Sequence, residues 1–410
     1  MEEFRRGGAP LLAAVIGTLC GLFTATNYTQ SFFVGPVTAE FGWDPGQFFL
    51  SYTVLMLAGI FTAPIVGSLV EKWGARRLAI TGLVGHAVGY ILLSFNPGSL
   101  PLWYLSFFLL AVMAAGSLPI TWTKVINGWF VENRGKAIGI VMSGTGLGAF
   151  ILPPLVEFII SNYGWRMGYR GIGIGLLLFS LPFVLAFFRE RQVSADGTPN
   201  DAGPPAAALW GVTVGEAVRS RRFWILGAVL FLTAFVLVGL LSNFVRILGA
   251  EGLGTSETAT LAAALGLTVV IGRLLIGVLV DRYWAPGVAV AFFTLPMIGI
   301  LLLLNMDVTY ASAFFIAIAI GLAAGAELDL LAYLTSRYFG TEHYAEIFGR
   351  VFVFFTVGAG IAPPIFGALS AANGGYAELL TASILVLLVS QVLFLALGKY
   401  PTSSEVSAAA

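Results

Sequence analysis

The sequence has few of the side chains that carry enzyme chemistry. Its 410 residues include one cysteine and two histidines. One cysteine excludes an intrachain disulfide, and two histidines with one cysteine provide neither a metal-ligand cluster nor a histidine-based catalytic triad. The sequence therefore predicts that the protein is not an enzyme and needs no metal or cofactor.

Charge is also scarce, because only 10% of the residues are charged and the 21 basic residues balance the 21 acidic ones. No basic tract is interleaved with aromatic residues, so we expect no nucleic-acid partner. A surface with so few charges would not dissolve in water, which argues against a soluble globular protein.

Apolar residues make up 58% of the chain, and its mean hydropathy is +0.92. A segment of about 20 apolar residues is long enough to cross a hydrocarbon core of about 30 Å. The pattern predicts an all-α integral membrane protein with membrane lipid around twelve transmembrane helices. We place them at 11–35, 47–70, 78–96, 101–126, 136–160, 168–188, 223–247, 258–280, 286–305, 309–336, 345–371 and 376–398.

A short pattern occurs twice, 210 residues apart, at the ends of two apolar runs. It reads Gly-Ser-Leu-Val-Glu-Lys from Gly67 and Gly-Val-Leu-Val-Asp-Arg from Gly277. The same offset relates Pro153-Pro154 to Pro363-Pro364, so the chain is a duplicated unit. We expect two pseudo-symmetric six-helix bundles at 1–188 and 223–400, with a cytoplasmic linker and short surface helix at 189–222 and a cytoplasmic tail at 401–410.

Basic residues predict the orientation, since Lys and Arg accumulate in cytoplasmic loops. Arg5 and Arg6 precede the first span, and most of the other basic residues fall in loops on the same side. We therefore expect both termini to be cytoplasmic and the first span to be retained. A multi-pass protein of a bacterial inner membrane, functional as a monomer, fits this pattern.

The duplicated Gly-x-x-x-acidic-basic loops resemble the signature of the major facilitator superfamily. Within that superfamily, the segments around Tyr28-Thr-Gln-Ser, Trp129-Phe-Val-Glu-Asn-Arg-Gly and Phe223-Trp224 resemble those of monocarboxylate porters and oxalate/formate antiporters. The resemblance implies transport by alternating access, in which two bundles rock about a site near the membrane midplane.

The carboxylates of the repeated loops are candidate gates, because a carboxylate at a helix end can pair with arginine or accept backbone N–H bonds. We predict that Glu71 pairs with Arg134 and that Asp281 pairs with Arg350. A static loop anchor is the alternative interpretation.

Arg273 lies eight residues before Asp281, or about 12 Å into the membrane from that helix end. An arginine at such depth costs about 2.5 to 3.5 kcal/mol and is tolerated where it faces water or a partner charge. Its candidate partners are Glu327 and Asp329 of the tenth span, which point about 200° apart on a helix. Either acid is a candidate proton carrier, and a buried structural salt bridge is the alternative.

In the porters that the chain resembles, an arginine of the eighth span binds the substrate carboxylate, and Arg273 matches that place. The chain departs from them at Val269 and Gln30, where many carry an acid and a lysine, and at Phe355, where oxalate-type antiporters carry a second basic residue. One intramembrane cation neutralises one carboxylate, so the pattern favours a monoanion over a dicarboxylate.

Uncharged polar side chains at membrane depth need partners or water, so some of them should line the substrate pocket. Aromatic side chains there would favour an apolar tail on the substrate, although such side chains also pack helices. The predicted pocket residues are Asn27, Tyr28, Gln30, Trp122, Asn243, Tyr333 and Phe355. His86, in the third span, is a further proton-relay candidate or a packing residue.

The sequence thus predicts a secondary active transporter that moves a small organic monoanion, a monocarboxylate, in symport with H⁺. Exchange of two anions is the nearest alternative. A drug/proton efflux antiporter and a ligand sensor that does not transport are more distant ones.

Overall fold

The computed structural model describes residues 2–191 and 210–401, and these residues are overwhelmingly helical. The α-helices, in chain order, are α1 (Glu2–Leu19), α2 (Leu22–Phe41), α3 (Pro45–Trp73), α4 (Ala75–Leu93), α5 (Leu100–Met113), α6 (Pro119–Trp129), α7 (Arg134–Tyr163), α8 (Trp165–Phe187), α9 (Val214–Arg219), α10 (Arg221–Ala250), α11 (Thr255–Arg282), α12 (Ala285–Asn305), α13 (Tyr310–Phe339), α14 (Tyr344–Asn373) and α15 (Ala377–Ala396).

Each of the twelve predicted spans coincides with one or two of these helices. Ten segments, with Glu2–Phe41 counted as one, are long and apolar enough to cross a membrane. The third and fourth predicted spans are not among the ten. The third corresponds to α4, which has two arginines in its first turn. The fourth is divided into α5, a 3₁₀ turn at Ala115–Ser117 and α6. The all-α membrane fold predicted from hydropathy is confirmed.

The first and fourth spans are interrupted at the same place in the fold. The backbone N–H of Leu22, which begins α2, donates to the Ser117 hydroxyl at 3.1 Å. The Ser117 carbonyl accepts a hydrogen bond from the Trp122 indole at 3.0 Å. Backbone groups freed by a helix break need partners inside the protein, because lipid offers none. Ser117 therefore provides partners to both interrupted spans.

The helices form two compact units. The first comprises Met1–Gly211 with Gly340–Val353, and the second comprises Val212–Phe339 with Phe354–Ala410. The first unit thus includes the loop before α14 and the first ten residues of α14, which follow the second bundle's α13 in the sequence. Much of the predicted linker, residues 192–209, and all but the first residue of the predicted tail lie outside the described residues.

Glu71, at the end of α3, explains why the start of α14 belongs to the first unit. One oxygen of its carboxylate accepts the backbone N–H of Ala345 at 2.9 Å, and the other lies 2.8 Å from Lys124 Nζ. Lys124 also donates to the Thr341 carbonyl at 3.2 Å. The first N–H groups of a helix have no partner within the helix and carry partial positive charge, so a carboxylate stabilises them. The cation that pairs with Glu71 here is Lys124, on the neighbouring α6, and the predicted pairing of Glu71 with Arg134 stays a prediction.

Gly67 has a physical role in the same contact. It lies one helical turn before Glu71, on the same face of α3. A Cβ atom at Gly67 would be 2.3 Å from the Ala345 carbonyl oxygen, which is closer than any such contact allows. The first copy of the repeated motif therefore supplies a glycine for close approach and a carboxylate for the N–H groups of α14.

Helices α11 and α13 of the second unit cross at very short range through three glycines. A Cβ at Gly272 would lie 2.4 Å from the Leu322 carbonyl oxygen, and one at Gly325 would lie 2.2 Å from the Val269 carbonyl oxygen. A Cβ atom at Gly321, one turn earlier in α13, would likewise clash with the Thr268 side chain of α11. Small residues at helix crossings let backbones approach, which is a common basis of helix packing in membranes. Charged side chains one turn beyond this crossing can therefore reach each other.

We expect Glu71→Ala to loosen the start of α14. A hydrogen bond to a charged group contributes about 1.5 to 3 kcal/mol, so amide hydrogen exchange in residues 344–353 should become about tenfold faster or more. Lys72→Ala, which changes an exposed neighbour, is the control. Unchanged exchange in the Glu71→Ala protein would show that the carboxylate does not anchor this helix.

We expect Gly272→Ala to destabilise the protein, because the added methyl group must push α11 away from α13. Overpacking of this kind typically costs about 1 to 3 kcal/mol. Gly266→Ala is a matched control on the same helix, since a Cβ there meets nothing within 4 Å. Thermal unfolding in detergent measures both, and equal melting temperatures would contradict the crossing.

Candidate functional site

Arg273 lies on α11 inside the second unit, with 4% of its surface exposed. One terminal nitrogen, Nη1, donates to Asp329 Oδ2 of α13 at 3.0 Å. Asp329 is equally buried, at 3% exposure. The glycine crossing places these two residues opposite each other, since Arg273 follows Gly272 directly and Asp329 lies one turn beyond Gly325. The structure thus gives Arg273 one of its two predicted acidic partners.

The ion pair uses only part of the hydrogen-bonding capacity of its two side chains. Arg273 Nε and Asp329 Oδ1 are both buried and have no hydrogen-bond partner among the described residues. A guanidinium group has five N–H donors in a planar fork, and a carboxylate accepts two parallel bonds from such a fork. The site therefore retains a cationic donor that can bind a second anion.

Glu327, two residues before Asp329, is the second buried acid of α13, with 4% exposure. Its carboxyl group lies near the Thr233 hydroxyl of α10 and the Arg273 guanidinium group of α11. Its Oε1 atom has no hydrogen-bond partner among the described residues. Glu327 thus lies near α10 as well as α11, whereas Asp329 pairs with Arg273 of α11.

Arg273, Asp329 and Glu327 form a buried cluster, and its net charge decides which protonation state is most stable. Arg273 carries one positive charge, and the two acids would carry two negative charges if both were ionised. An unpaired charge inside a membrane is expensive, so the cluster is most stable when only one acid is ionised. One proton and one anion can therefore be exchanged within it.

Other predicted pocket residues of the second unit make contacts of their own. Asn243 donates to the Gly239 carbonyl at 3.0 Å and accepts from the Tyr376 hydroxyl at 3.5 Å. Tyr333 donates to the Val280 carbonyl at 2.8 Å. Phe355 is buried, at 3% exposure. The place of these three side chains in a substrate pocket stays a prediction.

The remaining predicted pocket residues belong to the first unit. Asn27 accepts a hydrogen bond from the Tyr52 hydroxyl, and Gln30 accepts one from Tyr169 at 3.4 Å. Tyr28 follows Asn27 on α2. Trp122 is fully buried, with its ring against Gly17 and its N–H on Ser117. The contacts of Trp122 therefore include helix packing at the interrupted spans.

His86, the proton-relay candidate, is buried in the first unit beside Tyr90, with ring centroids 4.8 Å apart. The other gating candidates lie near helix ends. Arg134 donates through Nε to the Phe130 carbonyl at 3.3 Å, and Arg350 donates to the Glu346 carbonyl at 2.9 Å. The pairing of Asp281 with Arg350 stays a prediction.

Two residues at these sites were missed by reasoning from the sequence. Lys124 is not among the predicted gating residues, although a lysine so near an apolar helix end is a candidate partner for Glu71. Thr233 was overlooked because a lone threonine among apolar residues carries a weak signal. Within the described residues, no group of three His, Cys, Asp or Glu side chains is arranged to hold a metal ion.

Similar proteins are transporters. Over 389 residues, the chain is 26% identical to an MFS-type transporter of Gibberella moniliformis, covering 92% of this chain and 87% of that protein. It is 25% identical to monocarboxylate transporter 11 of Mus musculus over 326 residues, covering 77% of this chain and 70% of the relative.

Among solved structures, the fold is similar to that of the fucose:proton symporter of E. coli. The TM-score is 0.74, and the match covers 95% of this chain and 99% of the symporter at 16% sequence identity. The family model of the Major Facilitator Superfamily matches residues 15–363. The chain therefore belongs to the Major Facilitator Superfamily of membrane transporters.

Proposed function

We propose that this transporter carries a small organic monoanion, a monocarboxylate, together with a proton, and that Arg273 binds its carboxylate. The observation that supports this most directly is the guanidinium group of Arg273, which binds Asp329 through Nη1 while Nε has no hydrogen-bond partner in the described part of the chain. Arginine suits the task because its planar fork matches a carboxylate and stays charged at any relevant pH.

Asp329 is the acid that couples the proton to the substrate. In the empty carrier it neutralises Arg273 across 3.0 Å. A substrate carboxylate that binds Arg273 adds a negative charge to the same buried cluster. Protonation of Asp329 removes one negative charge and releases the arginine, so substrate and proton enter together and the net charge of the cluster is unchanged.

The similar proteins support the substrate class and the coupling in different ways. Monocarboxylate transporters 11 and 13 are named for monocarboxylates, and the structural neighbour is named as a proton symporter. In the present chain, Arg273 and Asp329 supply one cation and one acid in contact, which is what the coupled binding of an anion and a proton requires.

Reconstituted protein tests the proposal directly. Proteoliposomes containing the full chain should accumulate radiolabelled lactate when their interior is made alkaline, and empty liposomes should not. Uptake that requires preloaded internal anion instead of a pH gradient would favour anion exchange. An absence of monocarboxylate uptake under both conditions would contradict the proposal.

Arg273 variants test carboxylate binding. Arg273→Ala should abolish lactate uptake, and Arg273→Lys should reduce it strongly, because an ammonium group cannot donate two parallel hydrogen bonds. Arg282→Lys, which changes a basic residue at the exposed end of α11, is the control. Normal uptake by both Arg273 variants would remove the arginine from the substrate site.

Asp329→Asn tests coupling. The variant should retain exchange of internal for external lactate at equal concentrations, because Arg273 is still present. It should lose accumulation driven by a pH gradient, because asparagine does not take up a proton. Asp307→Asn makes the same chemical change at an exposed position and should behave as the unmodified protein. Gradient-driven accumulation by Asp329→Asn would show that another group carries the proton.

A further inference from the structure

Arg170, in the first unit, is a basic residue of α8 with no acidic partner in the described part of the chain. Arg166, one turn earlier on the same helix, has one, because its Nη1 lies 2.6 Å from Glu40 Oε1. Arg170 instead donates through Nε to the Ser94 hydroxyl, just after α4, at 2.9 Å. Its Nη1 lies 4.0 Å from the Met167 sulfur, which is a weak acceptor. These contacts are uncharged, so the positive charge of Arg170 needs an anion from outside the described residues.

Two contacts hold the Arg170 guanidinium group in one orientation. The Ser94 hydroxyl donates to the Ile91 carbonyl at 2.6 Å, so it presents a lone pair to Arg170 Nε. The guanidinium carbon lies 4.7 Å from the centre of the Phe95 ring, which attracts a cation. Because Ser94 occupies Nε, the edge formed by the two terminal nitrogens remains for a ligand. Such an edge matches two oxygens of a phosphate group.

The position of Arg170 along α8 places it near the boundary between lipid headgroups and hydrocarbon. Its Cα atom is five residues after Trp165, the first residue of α8, or about 8 Å along the helix axis. The headgroup region of each leaflet is about 5 to 8 Å thick. Tyr163, at the end of α7, is 66% exposed, and tyrosine is enriched at this level of a membrane. We therefore expect the guanidinium group to meet lipid phosphates.

The helices that Arg170 bridges continue into the membrane with exposed apolar surfaces. Helices α4 and α8 touch at Gly173, where a Cβ atom would lie 2.7 Å from the Ala87 carbonyl oxygen. Ile174 and Leu178 follow Arg170 by four and eight residues, so all three share one face of α8. The exposed apolar side chains beside the contact of the two helices are those of Val88, Leu92, Ile174 and Leu178. An acyl chain can lie along these surfaces below the guanidinium group.

We infer that Arg170 binds the phosphate of an anionic phospholipid whose acyl chains lie along α4 and α8. Phosphatidylglycerol has such a headgroup, with one negative charge and no cation, so it neutralises the arginine. Phosphatidylcholine carries its own ammonium group, which competes with the arginine for the same phosphate. This lipid site goes beyond the proposed transport of a carboxylate and does not depend on it.

Native mass spectrometry of the full chain, released from detergent micelles, tests this lipid preference. The first phosphatidylglycerol should bind about tenfold more tightly than a phosphatidylcholine with the same acyl chains, because hydrogen bonds to a charged group are lost with the latter. Equal retention of the two lipids would overturn the inference. Displacement of phosphatidylglycerol by an equal concentration of glycerol phosphate would assign the site to a soluble phosphate and overturn it too.

A pair of matched variants locates the site. Arg170→Gln should lose the preference for phosphatidylglycerol over phosphatidylcholine. Arg246→Gln makes the same chemical change near the end of α10, at an exposed arginine that has no hydrogen-bond partner within the described residues, and should keep the preference. An unchanged preference in Arg170→Gln, or an equal loss in both variants, would contradict binding at Arg170.

Ser94→Ala keeps the test decisive if Arg170→Gln does not fold. It leaves the charge of Arg170 in place and removes the hydroxyl that orients the guanidinium group, so the preference should fall about threefold. Added phosphatidylglycerol should also raise the melting temperature of the unmodified protein more than that of Ser94→Ala, because a ligand of the folded state stabilises it. An unchanged preference together with an equal rise in melting temperature would overturn the inference.

Discussion

The ion pair between Arg273 and Asp329 is the interaction on which the candidate site depends. Inside a membrane, an isolated charge is expensive, and a pair is tolerated only when the protein places its members in contact. The glycines of α11 and α13 provide that contact by letting two backbones approach until Gly325 touches Val269. The ion pair therefore depends on close helix packing. Larger side chains at the crossing of α11 and α13 would separate the two charges and leave both unpaired.

The same requirement explains the interrupted spans of the first unit. A break in a membrane helix frees backbone N–H and C=O groups that lipid cannot satisfy. Ser117 resolves this by accepting the N–H of Leu22 and the indole of Trp122. Glu71 does the equivalent at the start of α14, where a carboxylate from another helix replaces the missing intrahelical acceptor. Ser117 and Glu71 thus complete hydrogen bonds that a helix cannot complete alone.

Hydropathy predicted the spans because a bilayer imposes a fixed length on every helix, and the repeat offset predicted the duplicated helix order. The depth of Arg273 and its acidic neighbours could be read from helix geometry. The partner of each charged side chain could not be read from the sequence in this way. Glu71 pairs with Lys124 of α6, which depends on how three helices meet, and the chain carries no local signal for that. Thr233 could not be predicted for the same reason, since only packing places it near Glu327. The division of α14 between the two units likewise depends on contacts made far along the sequence.

The 3₁₀ turn at Ala115–Ser117 has a consequence for the history of the duplicated chain. The repeat offset of 210 relates the region of this turn to the region of α13 that holds Glu327 and Asp329. One half has a bend there, and the other has an unbroken helix with a carboxylic acid. The two halves of the duplicated chain therefore diverged here in both backbone and chemistry, and the repeated loop motif does not extend to the buried acids of α13.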